Sequence, residues 1–281
     1  MTQVTGVTFV KNINAEGNRP ISYHYHSCVH KNNKYDISNE KGFSFISITW
    51  RLDPSYFINM KGQQGKCILC LDEVKQIEQA KKLDIPYFVC PIAVFCVLDK
   101  FKYEPSVEKK YSAVLNCRNS LWKRRYLAKS IEYLAVIYYP TPSSSEPDNI
   151  TFPNSYNPNI IDDKYTKLQV DEINSILNKS KVGLILSKME GSPRVVVEYL
   201  LCGLPVVTTM ADCGRWEFLN ESNCVIVEDN EESVKNGVKK AIELLENGIF
   251  IPADISANTK RKIDAFRNDA ERIAGVKLLW D

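Results

Sequence analysis

The sequence has no uninterrupted apolar run of the roughly eighteen residues that a membrane-spanning helix requires. Its opening stretch, MTQVTGVTFVKNINAEGN, also lacks the apolar core of a secretory signal peptide. A transmembrane class and a secreted class are therefore not favoured. We expect a cytoplasmic protein.

Charge of one sign is not in excess, since 36 Lys and Arg residues face 34 Asp and Glu residues. This balance gives no overall field for binding a polyanion, so we do not expect nucleic acid as a partner. Nine cysteines are an odd number, spread through apolar segments, which favours thiols in a reducing compartment over a disulfide framework.

The second half of the 281 residues alternates between strand and helix patterns, and 44% hydrophobic content is ample for a core. This alternation predicts an α/β fold with a parallel sheet covered on both faces. The predicted strands are residues 112–117, 135–139, 181–187, 204–209 and 224–227. The predicted helices are residues 121–134, 169–180, 192–203, 215–220, 231–248 and 258–276, with a surface loop at 140–159.

The first half is less regular. Strand patterns occur at 6–10, 43–50 and 66–71, a helix pattern at 71–83 and a buried apolar stretch at 85–98. We predict a reduced α/β domain over residues 1–108, a Rossmann-like domain over 109–250, and a C-terminal helix over 251–281 that packs back toward the first domain.

One segment of the second half, EGSPRVVVEYLLCG, contains two carboxylates, Glu190 and Glu198, and a turn between them. Ser192 is suited to cap a helix and Pro193 to its first turn. Because the turn follows a predicted strand, its amides lie at the carboxyl edge of the sheet, where ligands bind. Glu198 is then placed to accept hydrogen bonds from hydroxyl groups of a ligand. The alternative is that Glu198 pairs with Arg194 and that Glu190 is an exposed loop residue.

These residues resemble the E-x7-E segment of GT-B glycosyltransferases, most closely the retaining family 4, and the strand that follows it. The segment NCRNSLWKRR adds Arg118 and Lys123 at the spacing of that family's Arg and Lys. The resemblance covers about residues 111–247. It implies a GT-B-like fold of two Rossmann-like parallel-sheet domains with a shortened N-terminal domain.

The resemblance also implies roles. Glu190 would lie by the donor sugar, and Arg118 and Lys123 would neutralise the diphosphate as it leaves; these three are the predicted catalytic residues. Gly191, Ser192, Arg194 and Glu198 would bind the donor, with Glu198 on the ribose. Two cations and a helix N-terminus supply the charge that such a transfer needs. No metal and no other cofactor is therefore expected.

The chain departs from the family in two places. Pro193 stands where an amide usually contacts the sugar, and it has no N–H to donate. The first domain lacks the Gly-rich loop with which family members usually open, so no acceptor residue is carried over.

All three histidines lie in SYHYHSCVH, with His24, His26, Cys28 and His30 at alternate positions. On a strand these four positions span about 20 Å, too far to surround one ion. A pair of them with Cys67 and Cys70 is a weaker zinc possibility. We expect His24 or His26 either to face the sugar and acceptor side or to serve in packing.

Residues 100–130 contain nine Lys or Arg and two Glu, which fits a solvated face that includes the diphosphate pair. Peripheral contact with anionic lipid is the alternative. The sequence thus predicts transfer of a sugar from a nucleotide-diphosphate donor, UDP- or GDP-linked, to a hydroxyl of a glycan or lipid-linked acceptor. A nucleotide-sugar epimerase (or a phosphorylase) of the same fold and a non-catalytic binding module are the other hypotheses.

Overall fold

A computed structural model describes residues 7–12, 21–27, 42–47, 67–96, 99–140, 150–161, 164–188, 190, 193–210 and 217–280. The chain forms two compact units. One comprises residues 1–96 together with 263–281, and the other comprises residues 97–262.

The first unit is built on a five-stranded sheet in the order β1-β2-β3-β4-β5. β1 pairs antiparallel with β2, and every other neighbouring pair is parallel. The three predicted strand segments of this half each contain a strand, as expected. The elements are β1 (Val7–Asn12), β2 (Ile21–Ser27), β3 (Phe43–Ser47), β4 (Cys67–Leu71), α1 (Val74–Lys82), β5 (Tyr87–Val89) and α2 (Ala93–Cys96).

Aromatic side chains fill the core of this unit. Tyr23 stacks on Phe95 with ring centroids 4.3 Å apart, and Phe45 lies 5.2 Å from the same ring. The ring of Trp280 also contacts this cluster, with its centroid 5.6 Å from that of Phe95. Aromatic contacts of this kind add to the stabilisation from burial alone.

The second unit contains a five-stranded, wholly parallel sheet in the order β12-β11-β10-β6-β7. Five predicted strands are confirmed within a few residues. The strands are β6 (Tyr111–Arg118), β7 (Leu134–Tyr139), β10 (Ser180–Ile185), β11 (Val206–Thr209) and β12 (Cys224–Val227), with a separate pair β8 (Ile160–Ile161) and β9 (Lys164–Tyr165). The helices are α3 (Val170–Asn178), α4 (Arg194–Leu201), α5 (Glu231–Glu246) and α6 (Pro252–Ala274), the last of which runs on into the residues of the first unit.

Helices cover both faces of this sheet, as the alternation predicted. A Cβ on Gly183 of β10 would lie 2.2 Å from the ring of Tyr199, so α4 packs directly on that glycine. A Cβ on Gly237 of α5 would meet Val207 of β11 at 3.1 Å. Gly183 is paired with Val206, and successive residues of a strand face opposite sides, so α4 and α5 lie on opposite faces.

The helix predicted at 121–134 is wrong. Two short 3₁₀ turns, Leu121–Lys123 and Arg125–Ala128, occupy its first half, and Leu134 already belongs to β7. Arg124 between the turns has a left-handed backbone, with φ 50° and ψ 40°, and Tyr133 has φ 53°. An α-helix cannot pass through such residues, so the apolar periodicity misled the prediction.

The short helix predicted at 215–220 is also wrong over its described part, because residues 217–220 are not helical. The helix predicted at 192–203 spans Arg194–Leu201, and Gly203 shortly after it has a φ of +73°, which is typical of a glycine that follows a helix. In the described part of the chain, no helix combines the length and apolarity needed to cross a bilayer.

Candidate active site at the carboxyl ends of β6 and β10

The order of the parallel sheet reverses between β6 and β10. From β6 the chain moves outward to β7, whereas β10, β11 and β12 extend the sheet in the other direction. In open α/β sheets such a reversal opens a crevice at the carboxyl ends of the two central strands, and ligands bind there. The loop after β6 and the turn after β10 therefore border the place where a ligand is expected.

The loop after β6 and the turn after β10 meet through an ion pair between Lys123 and Glu190. Both side chains are almost buried, at 12% and 10% exposure, and Ser187 donates a hydrogen bond to Glu190 at 2.5 Å. The Lys123 ammonium also lies 4.1 Å from the centre of the Trp122 ring. The alternative in which Glu190 is an exposed loop residue is thus wrong, since this carboxylate is buried and paired.

Arg118 is the last residue of β6 and is exposed. No described residue makes a hydrogen bond or an ion pair with its side chain. Two buried polar atoms nearby, Asn116 Oδ1 and Ser120 Oγ, also have no hydrogen-bond partner among the described residues. Buried polar groups are usually hydrogen-bonded, and these two are exceptions within two residues of the exposed Arg118 cation.

Glu198 lies in the second turn of α4, which is held to the sheet by its neighbour Tyr199. The Tyr199 hydroxyl accepts a hydrogen bond from the backbone N–H of Asn116 at 2.8 Å and donates to the carbonyl of Val114 at 3.3 Å. Because Tyr199 is fully buried on β6 and β10, the position of Glu198 beside it is fixed. Helix α4 therefore presents this carboxyl group near the end of β6.

The Glu198 carboxyl has no hydrogen bond or ion pair to any described residue. Burial raises its pKa to about 7, and the charge of Arg194 opposes that rise. The alternative interpretation, an ion pair between Arg194 and Glu198, is therefore wrong. Arg194 affects Glu198 only through its charge, which lowers the pKa of the carboxyl group. Burial, with a further contribution from Glu198, also raises the pKa of Tyr139, at the end of β7, to about 12.

The remaining predicted site residues are only partly described. Arg194 is the exposed first residue of α4. Gly191 and Ser192 lie outside the described residues. His24 and His26 are on β2, as expected for a strand, but their side chains also lie outside the described part.

Sequence reasoning missed Arg124, which is 7% exposed and lies between the two 3₁₀ turns. Its Nε donates to the carbonyl of Leu186 at 2.7 Å, and its Nη2 donates to Thr209 Oγ1 at 2.6 Å. Its Nη1 forms an ion pair with Asp229. The run Lys-Arg-Arg at 123–125 could have indicated a basic site. The predicted helix over 121–134, however, would have placed these three residues on different faces of that helix.

Within the ranges that the structure describes, no three His, Cys, Asp or Glu side chains are grouped so as to hold a metal ion. The described side chains beside this crevice that suit an anion are the cations Arg118 and Lys123. Transfer without a metal stays a prediction.

Residues 160–262 match a protein-family model described as glycosyl transferases group 1. The match includes both carboxylates, Glu190 and Glu198, and the sheet strands β10 to β12. No curated protein matches the sequence significantly.

Several solved structures share the fold at low sequence identity. HepE from Anabaena, solved with UDP, superposes with a TM-score of 0.59 at 12% identity, over 85% of this chain and 74% of HepE. A TarM variant from S. aureus, solved with UDP and other ligands, gives 0.52 at 12% identity, over 84% of this chain and 51% of TarM. Sucrose-phosphate synthase from Thermosynechococcus elongatus gives 0.50 at 12% identity, over 82% of this chain and 65% of the synthase.

This chain thus spans about half of TarM and less than two thirds of the synthase, but about three quarters of HepE. The likeness confirms the predicted fold class, an α/β protein of the GT-B type with Rossmann-like parallel sheets. Together, the group 1 match over residues 160–262 and this fold support a glycosyltransferase of the GT-B fold.

Proposed function

We propose that the protein transfers a sugar from a nucleotide-diphosphate donor to a hydroxyl acceptor, in the manner of the retaining glycosyltransferase family 4. The observation that carries the proposal is the Glu198 carboxyl, which has no partner among the described residues and lies on the helix that follows the turn after β10, where its charge acts on Tyr139 at the end of β7. A carboxylate that is partly desolvated and lacks a protein partner suits a ligand rich in hydroxyl groups.

The donor is proposed to be a UDP-sugar. HepE was solved with UDP and with UDP-glucose, and the TarM variant with UDP and alpha-GlcNAc-glycerol. In this proposal Glu198 accepts hydrogen bonds from the ribose hydroxyls, while Gly191, Ser192 and Arg194 at the start of α4 contact the donor.

Arg118 and Lys123 are proposed to stabilise the leaving diphosphate. The Lys123 ammonium has three N–H donors and its pairing with Glu190 uses one of them, so the ammonium retains capacity for a phosphate oxygen. Arg118 is exposed and suited to bidentate contact with phosphate. Preorganised cations of this kind lower the barrier because charge develops on the leaving group.

During transfer the bond between the anomeric carbon of the sugar and the diphosphate oxygen breaks, and that oxygen keeps the electron pair. The acceptor hydroxyl forms the new bond to the anomeric carbon, and its proton passes to the departing diphosphate oxygen. Glu190, held by Lys123 and Ser187, is proposed to position the sugar during this exchange. We further propose retention of anomeric configuration, no metal cofactor, and a glycan or lipid-linked acceptor bound by the first unit, with His24 and His26 on that side.

A thermal-shift screen against UDP, GDP, ADP and CMP tests the proposal first. A ligand that binds only the folded state raises the melting temperature by mass action, and we expect UDP to give the largest rise. The nucleoside uridine is the matched control because it lacks the diphosphate. A rise with none of the four nucleotides would contradict the proposal.

UDP-sugars that shift the melting temperature are then incubated with and without candidate acceptors. Release of UDP that depends on the acceptor supports transfer. Conversion of the donor sugar without an acceptor would instead support an epimerase, and binding without any turnover would support a binding module.

A further inference from the structure

Arg124 joins the ends of three strands of the parallel sheet. Its guanidinium bonds to Leu186 just beyond β10, to Thr209 at the end of β11 and to Asp229 just beyond β12. All three contacts are on the carboxyl edge, the edge at which β6 leads into the loop containing Arg124. The planar fork of a guanidinium has five donors, and a Lys ammonium cannot reach three separated acceptors in this geometry.

Three consecutive residues of the same loop contact the segment after β10. The carbonyl of Trp122 accepts a hydrogen bond from the N–H of Lys188 at 3.2 Å, and Lys123 pairs with Glu190. Arg124 supplies the third contact through Leu186. The loop after β6 and the turn after β10 are therefore fastened together over the part that contains both charged site residues.

Little within the loop itself holds Lys123 in place. Residues 121–128 form only 3₁₀ turns, and Arg124 between them has a left-handed backbone, which is unfavourable for a residue other than glycine. Strained backbone of this kind persists where surrounding contacts over-determine it. At Arg124 those contacts are the three side-chain bonds to Leu186, Thr209 and Asp229.

We propose that Arg124 is a positioning residue: its bonds to Leu186, Thr209 and Asp229 set the loop so that Lys123 meets Glu190 and faces the donor diphosphate. Asp229 is its ionic partner in this role. The second half of the inference rests on the proposed function, whereas the first half, the placement of Lys123 against Glu190, requires no ligand.

The test is the coupling between Lys123 and Glu190, measured with and without the Arg124 guanidinium. Lys123→Met, Glu190→Gln and the double variant are made in the unaltered chain and in Arg124→Lys, and unfolding in urea gives the equilibrium constants. A buried pair of this kind, in which breaking the pair leaves one charge uncompensated, couples by roughly twentyfold to a hundredfold in the unfolding constant. We expect the coupling to fall below twofold in Arg124→Lys.

Asp229→Asn provides a second background, because the Asp229 side chain is 53% exposed and its replacement leaves the other two bonds of Arg124 in place. We expect it to reduce the coupling to an intermediate value. Glu246→Gln is the matched control, since Glu246 forms an exposed ion pair with Lys181 in the same unit. Coupling that stays at its original size in both Arg124→Lys and Asp229→Asn would overturn the inference, even if both variants were less stable.

A second measurement uses UDP and uridine, titrated by calorimetry against the unaltered chain and Arg124→Lys. If Arg124 positions Lys123 for the diphosphate, UDP binding weakens about tenfold while uridine binding is unchanged. Equal weakening of both ligands would assign Arg124 a general structural role and overturn the positioning of Lys123 toward the diphosphate. Absence of UDP binding by the unaltered chain would count against the proposed function alone, because the urea measurement uses no ligand.

Discussion

The two carboxylates of the candidate site differ in their surroundings, although they are only eight positions apart in the sequence. Glu190, in the turn after β10, is buried, paired with Lys123 and hydrogen-bonded by Ser187. Glu198, on α4, is partly buried and has no hydrogen bond or ion pair to a described residue. Its pKa is raised to about 7 because burial disfavours its charge.

The charge of Glu190 is compensated by a side chain of the protein, Lys123, whereas the charge of Glu198 has no compensating partner among the described residues. A paired buried carboxylate stabilises local structure as long as its partner is present. An unpartnered one lowers stability at neutral pH and is retained more readily where a ligand uses it. Variants at the two positions should therefore behave differently toward stability and toward binding.

The largest expected effect is that of Lys123→Met, which leaves Glu190 buried without its ionic partner. Breaking a buried pair in this way costs about 3 kcal/mol of unfolding free energy, because one charge remains uncompensated. Urea denaturation followed by circular dichroism measures the change.

The double variant Lys123→Met with Glu190→Gln is its control. Removing both charges should recover more than half of the lost stability. If the double variant were as unstable as Lys123→Met, the cost would come from lost packing of the Lys123 stem on Trp122 and not from the unpaired charge.

Gly183→Ala should have the next largest effect, and it acts on the Glu198 side alone. The added methyl group would lie 2.2 Å from the Tyr199 ring, which is fixed by its hydrogen bonds to β6. Overpacking of this kind costs about 1–3 kcal/mol, measured as a lower urea midpoint. A methyl group on Gly183 that left stability and UDP affinity unchanged would show that α4 can shift without consequence.

Glu198→Gln should weaken UDP binding about tenfold, because the amide replaces one hydrogen-bond acceptor by a donor. At pH 8 the same variant should have a free energy of unfolding about 1 kcal/mol higher than that of the unaltered chain, since the cost of a buried charge is removed. It should therefore unfold at a higher urea concentration. Calorimetry and urea denaturation measure the two effects. A loss of both stability and affinity would indicate that Glu198 has a protein partner after all.

Stability and UDP affinity should depend on pH with opposite signs. The pKa of Glu198 is raised above its unfolded value of 4.5 to about 7, so the native state holds the proton more tightly. Its contribution to stability is therefore complete below about pH 4.5 and is lost as the pH rises through 7. UDP affinity should instead fall, by about tenfold between pH 8 and pH 6, because only the carboxylate accepts two ribose hydroxyls.

Glu198→Gln is the reference for that titration, since it retains the ionisation of UDP and of neighbouring groups. The difference between the two affinity profiles should be flat above pH 8 and change through pH 7. Identical profiles for the two proteins would remove Glu198 from the binding site.

The smallest stability effect should be that of Arg118→Ala. Arg118 is exposed and without a described partner, so the unfolding free energy should change by less than about 0.5 kcal/mol. UDP binding should nevertheless weaken, and more at low salt than at high salt, because the contact is between exposed charges. An unchanged UDP affinity at low salt would assign Arg118 to the solvated surface.

The strands and the long helices were predictable from sequence because each depends on local apolar periodicity. The β6 and β10 strands and α5 lie where the pattern placed them. The segment 121–134 was not predictable in this way. Its apolar residues recur at helical spacing, but bonds from Arg124 to residues 62, 85 and 105 positions away hold a left-handed backbone there.

The candidate site was predictable to a similar degree. The spacing of Glu190 and Glu198 on a strand, turn and helix was enough to propose both positions. That Lys123 pairs with Glu190, and that Glu198 has no such partner, depends on which loops meet at the sheet edge. Sequence spacing does not contain that information when the intervening loop is irregular.

The first unit is assembled from the two ends of the chain, residues 1–96 and 263–281. Its aromatic core includes Phe95 against Trp280, and Arg267 lies over the same Trp280 ring at 5.2 Å. A ribosome releases residues in order, so Phe95 emerges long before Trp280, while every residue of the second unit is already available. The second unit can therefore finish folding first, and a truncation that removes Trp280 and Asp281 should destabilise the first unit, whose core contains Phe95.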